Sequence, residues 1–160
     1  MSLEVRLGYN SMEKFIELYK EYINSILEEN VSTESVLSAQ NYQDEIENLS
    51  RLYGLPDGRI YIAYYEDQLA GCVALKKLDD ERCEMKRLYV KKEFRNKHIG
   101  NYLIWRIIKD AREIGYKYLL LDTMPFMETA INAYENVGFE RIDKYYETPV
   151  DDLIFLKLEL

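Results

Sequence analysis

Between Arg59 and Val90 the chain reads as three consecutive strands joined by two very short polar turns. The strands are Arg59–Tyr65, Leu69–Leu78 and Arg82–Val90, and the turns are Glu66-Asp67-Gln68 and Asp79-Asp80-Glu81. Connections this short join antiparallel neighbours, because a parallel return needs a long crossover. An antiparallel meander therefore occupies the middle of the chain. The flanks have other periods. Leu3–Gly8 alternates as a short strand, and Phe15, Ile16, Tyr19, Tyr22, Ile23, Ile26 and Leu27 recur at helical spacing behind an Asn10 or Ser11 cap. A second helix is expected from Thr33 to Tyr53, stopped by Gly54, with Val36, Leu37, Ile46, Leu49, Leu52 and Tyr53 as its stripe. After Val90 come a helix over Ile99–Ile114 capped by Gly115, an apolar strand over Tyr118–Leu121 and a helix over about Met127–Asn136 that stops at Gly138. Closing strands follow at about Phe139–Tyr146 and Leu153–Leu160. The order β-α-α-β-β-β-α-β-α-β-β predicts an α/β fold of three layers around a mixed, mostly antiparallel sheet.

A length of 160 residues suits one domain, 1–160, with one core, and 48% apolar residues are ample to fill it. No apolar run is long enough to cross a bilayer as a helix. The formal charge of −8 argues against nucleic acid as a partner, since neutralising phosphates takes an excess of Lys and Arg. It suits a cationic acceptor. Cys72 and Cys83 lie in apolar strands and read as reduced, buried thiols, and with no signal peptide evident the expected compartment is the cytoplasm. No Cys/His cluster points to a metal. The fifteen tyrosines read as residues of the core edge, apolar in the ring and wet at the hydroxyl.

One stretch departs from the acidic background. Residues 86–98 hold six Lys or Arg and one Glu, a net of +5, while the rest of the chain sums to −13. This stretch leaves a strand at Val90, passes through a loop and enters a helix at Ile99. The first-turn amides of a helix have no partner within it and its dipole favours negative charge, so the geometry is that of an anion site. Neither Gly-x-x-x-x-Gly-Lys-Ser/Thr nor Gly-x-Gly-x-x-Gly is present, which sets aside the nucleoside-triphosphate and dinucleotide loops.

These residues resemble the GNAT superfamily of acetyl-CoA-dependent N-acetyltransferases. That family's phosphate loop reads Arg/Gln-x-x-Gly-x-Gly/Ala, and here the loop is Arg95-Asn96-Lys97-His98-Ile99-Gly100, behind the strand Leu88-Tyr89-Val90. The family's downstream motif Ala-x-x-x-Tyr-x-x-x-Gly-Phe is matched by Ala130, Tyr134, Gly138 and Phe139. The run Cys83–Val90, with Leu121-Asp122-Thr123 and with Tyr145-Tyr146 before Pro149, further resembles a small bacterial branch of that family. Two departures stand out. His98 replaces the first loop glycine, and a histidine there is expected to keep a helical or bridging conformation with its ring turned away, while Asn96 tolerates left-handed geometry. Met127 stands where many relatives carry an asparagine.

The resemblance implies a GNAT-like three-layer fold and acetyl-CoA as co-substrate, with no metal. It implies cofactor contacts from Leu88, Tyr89, Val90, Arg95, Asn96, Lys97, His98, Ile99, Gly100, Asn101 and Ala130. It also implies direct attack of an amine on the thioester through a tetrahedral oxyanion, with a strand amide near Leu88 to Val90 as oxyanion donor. Glu84, a carboxylate among Cys83, Met85 and Leu88, is the candidate base, acting directly or through water. Its other reading is a cross-strand ion pair with Lys76, Lys86 or Arg87. Tyr134 is the candidate donor to the departing thiolate, and otherwise a core tyrosine. His98 reads as a phosphate contact, an exposed residue or a base. Asp122, Thr123, Tyr145 and Tyr146 are candidates for shaping the acceptor cleft. The acceptor expected is the primary amine of a small metabolite or amino-acid-like molecule. Alternatives are a protein lysine or N-terminus, and a domain that binds acyl-CoA without catalysis. Many family members pair their closing strands, so a homodimer through residues 139–160 is also an expectation.

Overall fold

The computed structural model describes residues 2–29, 41–150 and 152–160. Strand β1 (Leu3–Leu7) leads into helix α1 (Met12–Glu29), which buries Phe15, Leu18, Tyr19 and Ile23 along one stripe. Two short helices follow, α2 (Tyr42–Ile46) and α3 (Leu49–Tyr53). The meander is β2 (Arg59–Tyr65), β3 (Gln68–Lys77) and β4 (Arg82–Val90). A single 3-10 turn (Lys92–Phe94) leads into α4 (Ile99–Ile114), then come β5 (Tyr118–Thr123), α5 (Glu128–Asn136), β6 (Glu140–Ile142) and β7 (Ile154–Glu159). The seven strands form one sheet in the order β1-β2-β3-β4-β5-β7-β6, antiparallel throughout except for the β4–β5 pair.

Each face of the sheet carries its own core. On one face α4 sets Ile99, Leu103, Ile104, Ile107, Ile108 and Ala111 against Val73, Leu75, Cys83, Met85, Leu119 and Leu121. On the other, α1 and α3 set Phe15, Leu18, Tyr19, Leu49 and Tyr53 against Ile60, Ile62, Cys72 and Ala74. Each large aliphatic side chain buried this way contributes about 2 kcal/mol. The result is the three-layer α/β arrangement that the order of elements predicts. Gly115, at a φ of 110°, closes α4, and its amide reaches the Ala111 carbonyl.

The chain departs from the expected elements at three places. Only Tyr42–Tyr53 of the second helix is described, and it is two helices. Asn48 separates them, with a backbone outside the helical region (φ −124°, ψ 22°) and an Nδ2 that donates to the Asp44 carbonyl at 2.7 Å. This is the local competition an asparagine offers to a helix. Val36 and Leu37 lie outside the described residues. The first closing strand ends at Ile142, because Tyr145 and Tyr146 fold back over the sheet and pack on Phe155, with centroids 5.2 and 5.3 Å from its ring. The turn between β2 and β3 uses two residues, Glu66 and Asp67, both at positive φ. That pair of conformations matches the twist of a tight hairpin.

Strand β4 also carries a bulge. Cys72 faces Tyr89 while Ala74 faces Lys86, so one extra β4 residue is absorbed and Arg87 takes a φ of 59°. The extra residue exchanges the two faces. Cys83 and Met85 point into the α4 core ahead of the bulge, and Leu88 and Val90 point into it beyond. Without the bulge, Leu88 and Val90 would alternate onto the α1 face.

Candidate active site

Two strands that begin as neighbours part in the centre of the sheet. β4 and β5 pair in parallel only from Arg82–Tyr118 to Glu84–Leu120. From Met85 to Val90 the edge of β4 that faces β5 has no strand beside it among the described residues, which leaves its main-chain donors and acceptors without ladder partners. Glu84 sits where the strands diverge.

Glu84 is only 4% exposed, and its neighbours Cys83 and Met85 belong to the α4 core, so its side chain leaves the opposite face. Its carboxylate accepts a hydrogen bond from the Tyr145 hydroxyl and lies 3.8 Å from the Lys86 ammonium. The ion pair expected as the alternative role is thus present with Lys86. Asp122 stands on the same face of β5, two residues beyond Leu120, and accepts a hydrogen bond of 2.7 Å from Tyr146. Burial first, then the Glu84 carboxylate, pushes the Tyr145 phenol up. Burial, then Asp122, does the same to Tyr146. Both hydroxyls therefore keep their protons and serve as donors.

Tyr134, on α5, is 6% exposed and stacks on Phe139 with ring centroids 5.6 Å apart. Among the described residues its hydroxyl has no hydrogen-bond partner, and it is not sealed from solvent as the Tyr19 hydroxyl is. Burial is the main force raising its pKa, followed by Tyr22 and Asp122. Tyr145, which holds Glu84, also senses Asp122. The Asp122 charge thus opposes ionisation of both Tyr134 and Tyr145.

The basic loop resolves into two sets of charges. Lys86 is engaged by Glu84, Lys91 lies 3.1 Å from Glu21, and Arg87 donates from Nε to Glu45 at 3.1 Å. Lys92, Arg95 and Lys97 have no carboxylate partner among the described residues. Arg95 reaches back to the Val90 carbonyl at 3.2 Å, and the Lys97 ammonium lies 5.2 Å from the centre of the Tyr65 ring. Asn96 is left-handed at φ 64°, as its side chain allows. His98 is left-handed too, at φ 63° and ψ 16°, which corrects the expectation of a helical or bridging backbone. Histidine is among the few residues enriched in that region. The imidazole is exposed and makes no capping bond to the helix, and the first α4 amide with a backbone acceptor is that of Tyr102, on the His98 carbonyl. A Cβ built on Gly100 would come no closer than 3.9 Å to another atom, that of Val90. The first turn of α4 is therefore bare, uncapped and flanked by three uncompensated cations. These residues fit a polyphosphate.

Several candidates can contribute only through their backbone. Ile99 is buried under α4, Leu88 and Val90 face the same core, and Ala130 packs against it. Tyr89 leans the other way, onto Tyr22 at 6.1 Å. Asn101 is exposed in the first turn of α4. Cys72 and Cys83 are free and buried, and burial pushes both thiols up. Two features are missed by the pattern of residues. Arg87 reads as part of a basic surface but is drawn inward by the bulge, over the Tyr19 ring at 4.7 Å. Tyr22 reads as a helix-stripe residue, yet it lies within the influence of both Arg87 and Asp122.

Comparison with known proteins supplies the remaining findings. The family model described as the acetyltransferase (GNAT) family matches residues 16–139. An uncharacterized N-acetyltransferase of Dictyostelium discoideum is 32% identical, with all of both chains covered. An acetyltransferase of Streptococcus agalactiae superposes with a TM-score of 0.79 over 99% of this chain and 98% of its own, at 22% identity. A GNAT family acetyltransferase of Elizabethkingia anophelis, solved with acetyl-CoA bound, has a TM-score of 0.57 and 27% identity over 71% of this chain and 82% of its own. The relatives include eukaryotic as well as bacterial proteins, so they do not single out a bacterial branch. Among the described residues no helix is long and apolar enough to cross a membrane.

Proposed function

The chain belongs to the acetyltransferase (GNAT) family, and from that premise we propose that it moves an acetyl group from acetyl-CoA to the primary amine of a small metabolite or amino-acid-like acceptor. The observation that carries this reading is the three-residue β4–β5 ladder, which frees the β4 edge directly between Glu84 and the bare first turn of α4. The acetyl-CoA-bound relative of Elizabethkingia anophelis supports the choice of co-substrate.

Acetyl-CoA supplies a thioester whose carbonyl the amine attacks and whose thiolate departs. The chain's own groups divide the remaining work. Amides between Asn96 and Asn101 hold the diphosphate, with Lys92, Arg95 and Lys97 adding positive charge. Main-chain groups of Leu88 to Val90 hydrogen-bond the pantetheine arm as an added strand would, and one amide of that run faces the developing oxyanion. Glu84 takes the proton that the acceptor ammonium must lose, directly or through a water. Tyr145 holds the carboxylate in place from one side and Lys86 from the other. Tyr134 meets the leaving sulfur. Because burial raises its pKa, the phenol works as a neutral hydrogen-bond donor rather than by surrendering its proton outright.

The test is a calorimetric titration with acetyl-CoA, followed by amine-dependent thiol release over a panel of small amines. Binding and release that needs both substrates are expected. Absence of binding at saturating acetyl-CoA overturns the reading.

A further inference from the structure

Of the carboxylates Glu84, Glu45 and Asp122, two are matched by a cation among the described residues. Glu84 lies beside Lys86, and Glu45 is clasped by Arg87. Asp122 has no positive partner among the described residues, and its one hydrogen-bonding neighbour is the neutral Tyr146 hydroxyl. The Tyr146 hydroxyl meets Asp122 at 2.7 Å, and the Tyr145 ring packs edge-on against Tyr146 with centroids 5.3 Å apart. A carboxylate beside a pair of tyrosine rings, with no counter-charge among the described residues, suits an organic cation.

That cation is not the nitrogen being acetylated, since the attacking amine must be neutral when it reacts. Glu84 already stands where the β4 edge is freed, and Asp122 is one strand across and two residues along, about 8 Å away. Building on the acetyltransferase reading, we infer that Asp122 is a specificity-determining residue that binds a second positive group on the acceptor, so that the preferred acceptors are diamines or amines with a distal cation. The acceptor then lies along β5 with its reactive nitrogen at Glu84 and its distal ammonium between Asp122 and the faces of Tyr145 and Tyr146.

The experiment compares cadaverine with n-pentylamine, which match in chain length and differ in the second ammonium. Thiol release is followed at saturating acetyl-CoA for the wild type and for Asp122→Asn. The wild type is expected to favour the diamine by about tenfold or more in kcat/KM, chiefly through KM, as loss of a partly buried charge pair implies. Asp122→Asn is expected to bring that ratio close to one. A thermal shift with acetyl-CoA confirms that the variant still folds and binds its co-substrate. Equal wild-type rates for the two amines overturn this inference and leave the acetyltransferase reading standing. So does a ratio that Asp122→Asn leaves unchanged. Failure of the wild type to release thiol with any amine overturns both.

Discussion

Tyr145 donates its hydroxyl proton to the carboxylate of Glu84, a residue 61 positions earlier in the chain. The bond fixes a buried acid at the point where β4 and β5 part company. It also makes the loop after β6 part of the site, since Tyr145 has no strand of its own to hold it.

Replacing Glu84 by Gln keeps the shape of the side chain and removes its ability to take a proton. Turnover is expected to fall by about 100-fold, within the range for loss of a general base, with a changed pH–rate profile. Tyr145→Phe leaves the carboxylate in place but loosens it, and a smaller fall is expected. Steady-state thiol release across a pH series measures both.

Tyr134→Phe deletes a hydroxyl that has no protein partner among the described residues. The melting temperature is expected to stay close to that of the wild type. One hydrogen bond to a developing anion is lost, and kcat is expected to fall by about tenfold to 100-fold. A variant with full activity removes Tyr134 from the mechanism.

Glu45 links the short α2 helix to the bulge. Burial alone would push its carboxyl up, but the Arg87 guanidinium and the hydrogen bonds from Arg87 and Tyr53 outweigh it and hold the group at about 2, below the ordinary carboxyl value of 4.5. A carboxyl lowered on folding stabilises the folded state above its unfolded pKa, and that stability is lost as pH falls through the folded value. Wild-type stability should therefore drop between about pH 4.5 and pH 2. Glu45→Gln is expected to cost about 3 kcal/mol at neutral pH, because it strands a buried guanidinium. The part of the acid-induced loss due to Glu45 should vanish in that variant. Urea denaturation at several pH values reads both effects.

Gly100→Ala separates the packing role of that residue from its ligand role. The added methyl meets nothing within van der Waals repulsion, and alanine favours a helix over glycine by about 1 kcal/mol. The variant should be as stable as the wild type or more so. If phosphate oxygens approach that turn closely, its affinity for acetyl-CoA falls, as calorimetry will show.

The parts of the fold that were legible in the sequence are those set by local period and punctuation. The 59–90 meander, the α4 stripe and the Gly115 cap all follow from alternation, helical spacing or a breaker residue. The candidate anion loop stands out in the sequence because basic residues crowd a strand–helix junction in an acidic chain. What stayed hidden depends on contacts between distant residues. Nothing local announces that Arg87 turns inward to Glu45, or that Tyr145 and Tyr146 leave strand conformation to cover Glu84 and Asp122. His98 misleads for a related reason. Its left-handed backbone is permitted to any residue at some cost, and only the demands of the turn that launches α4 select it.

The irregularity at Arg87 acts on β4 as a reading-frame shift acts on a message. Ahead of it the even-numbered positions, Glu84 and Lys86, leave the face opposite α4, and beyond it the even-numbered Leu88 and Val90 pack under α4. One strand thereby carries a buried carboxylate at its start and an apolar anchor for α4 at its end. Deleting a single residue at the shift would restore regular pleating and send Leu88 and Val90 toward the tyrosines. Both the number of residues at the shift and the guanidinium at 87 are therefore constrained, the one by the register of β4 and the other by the buried Glu45 it clasps.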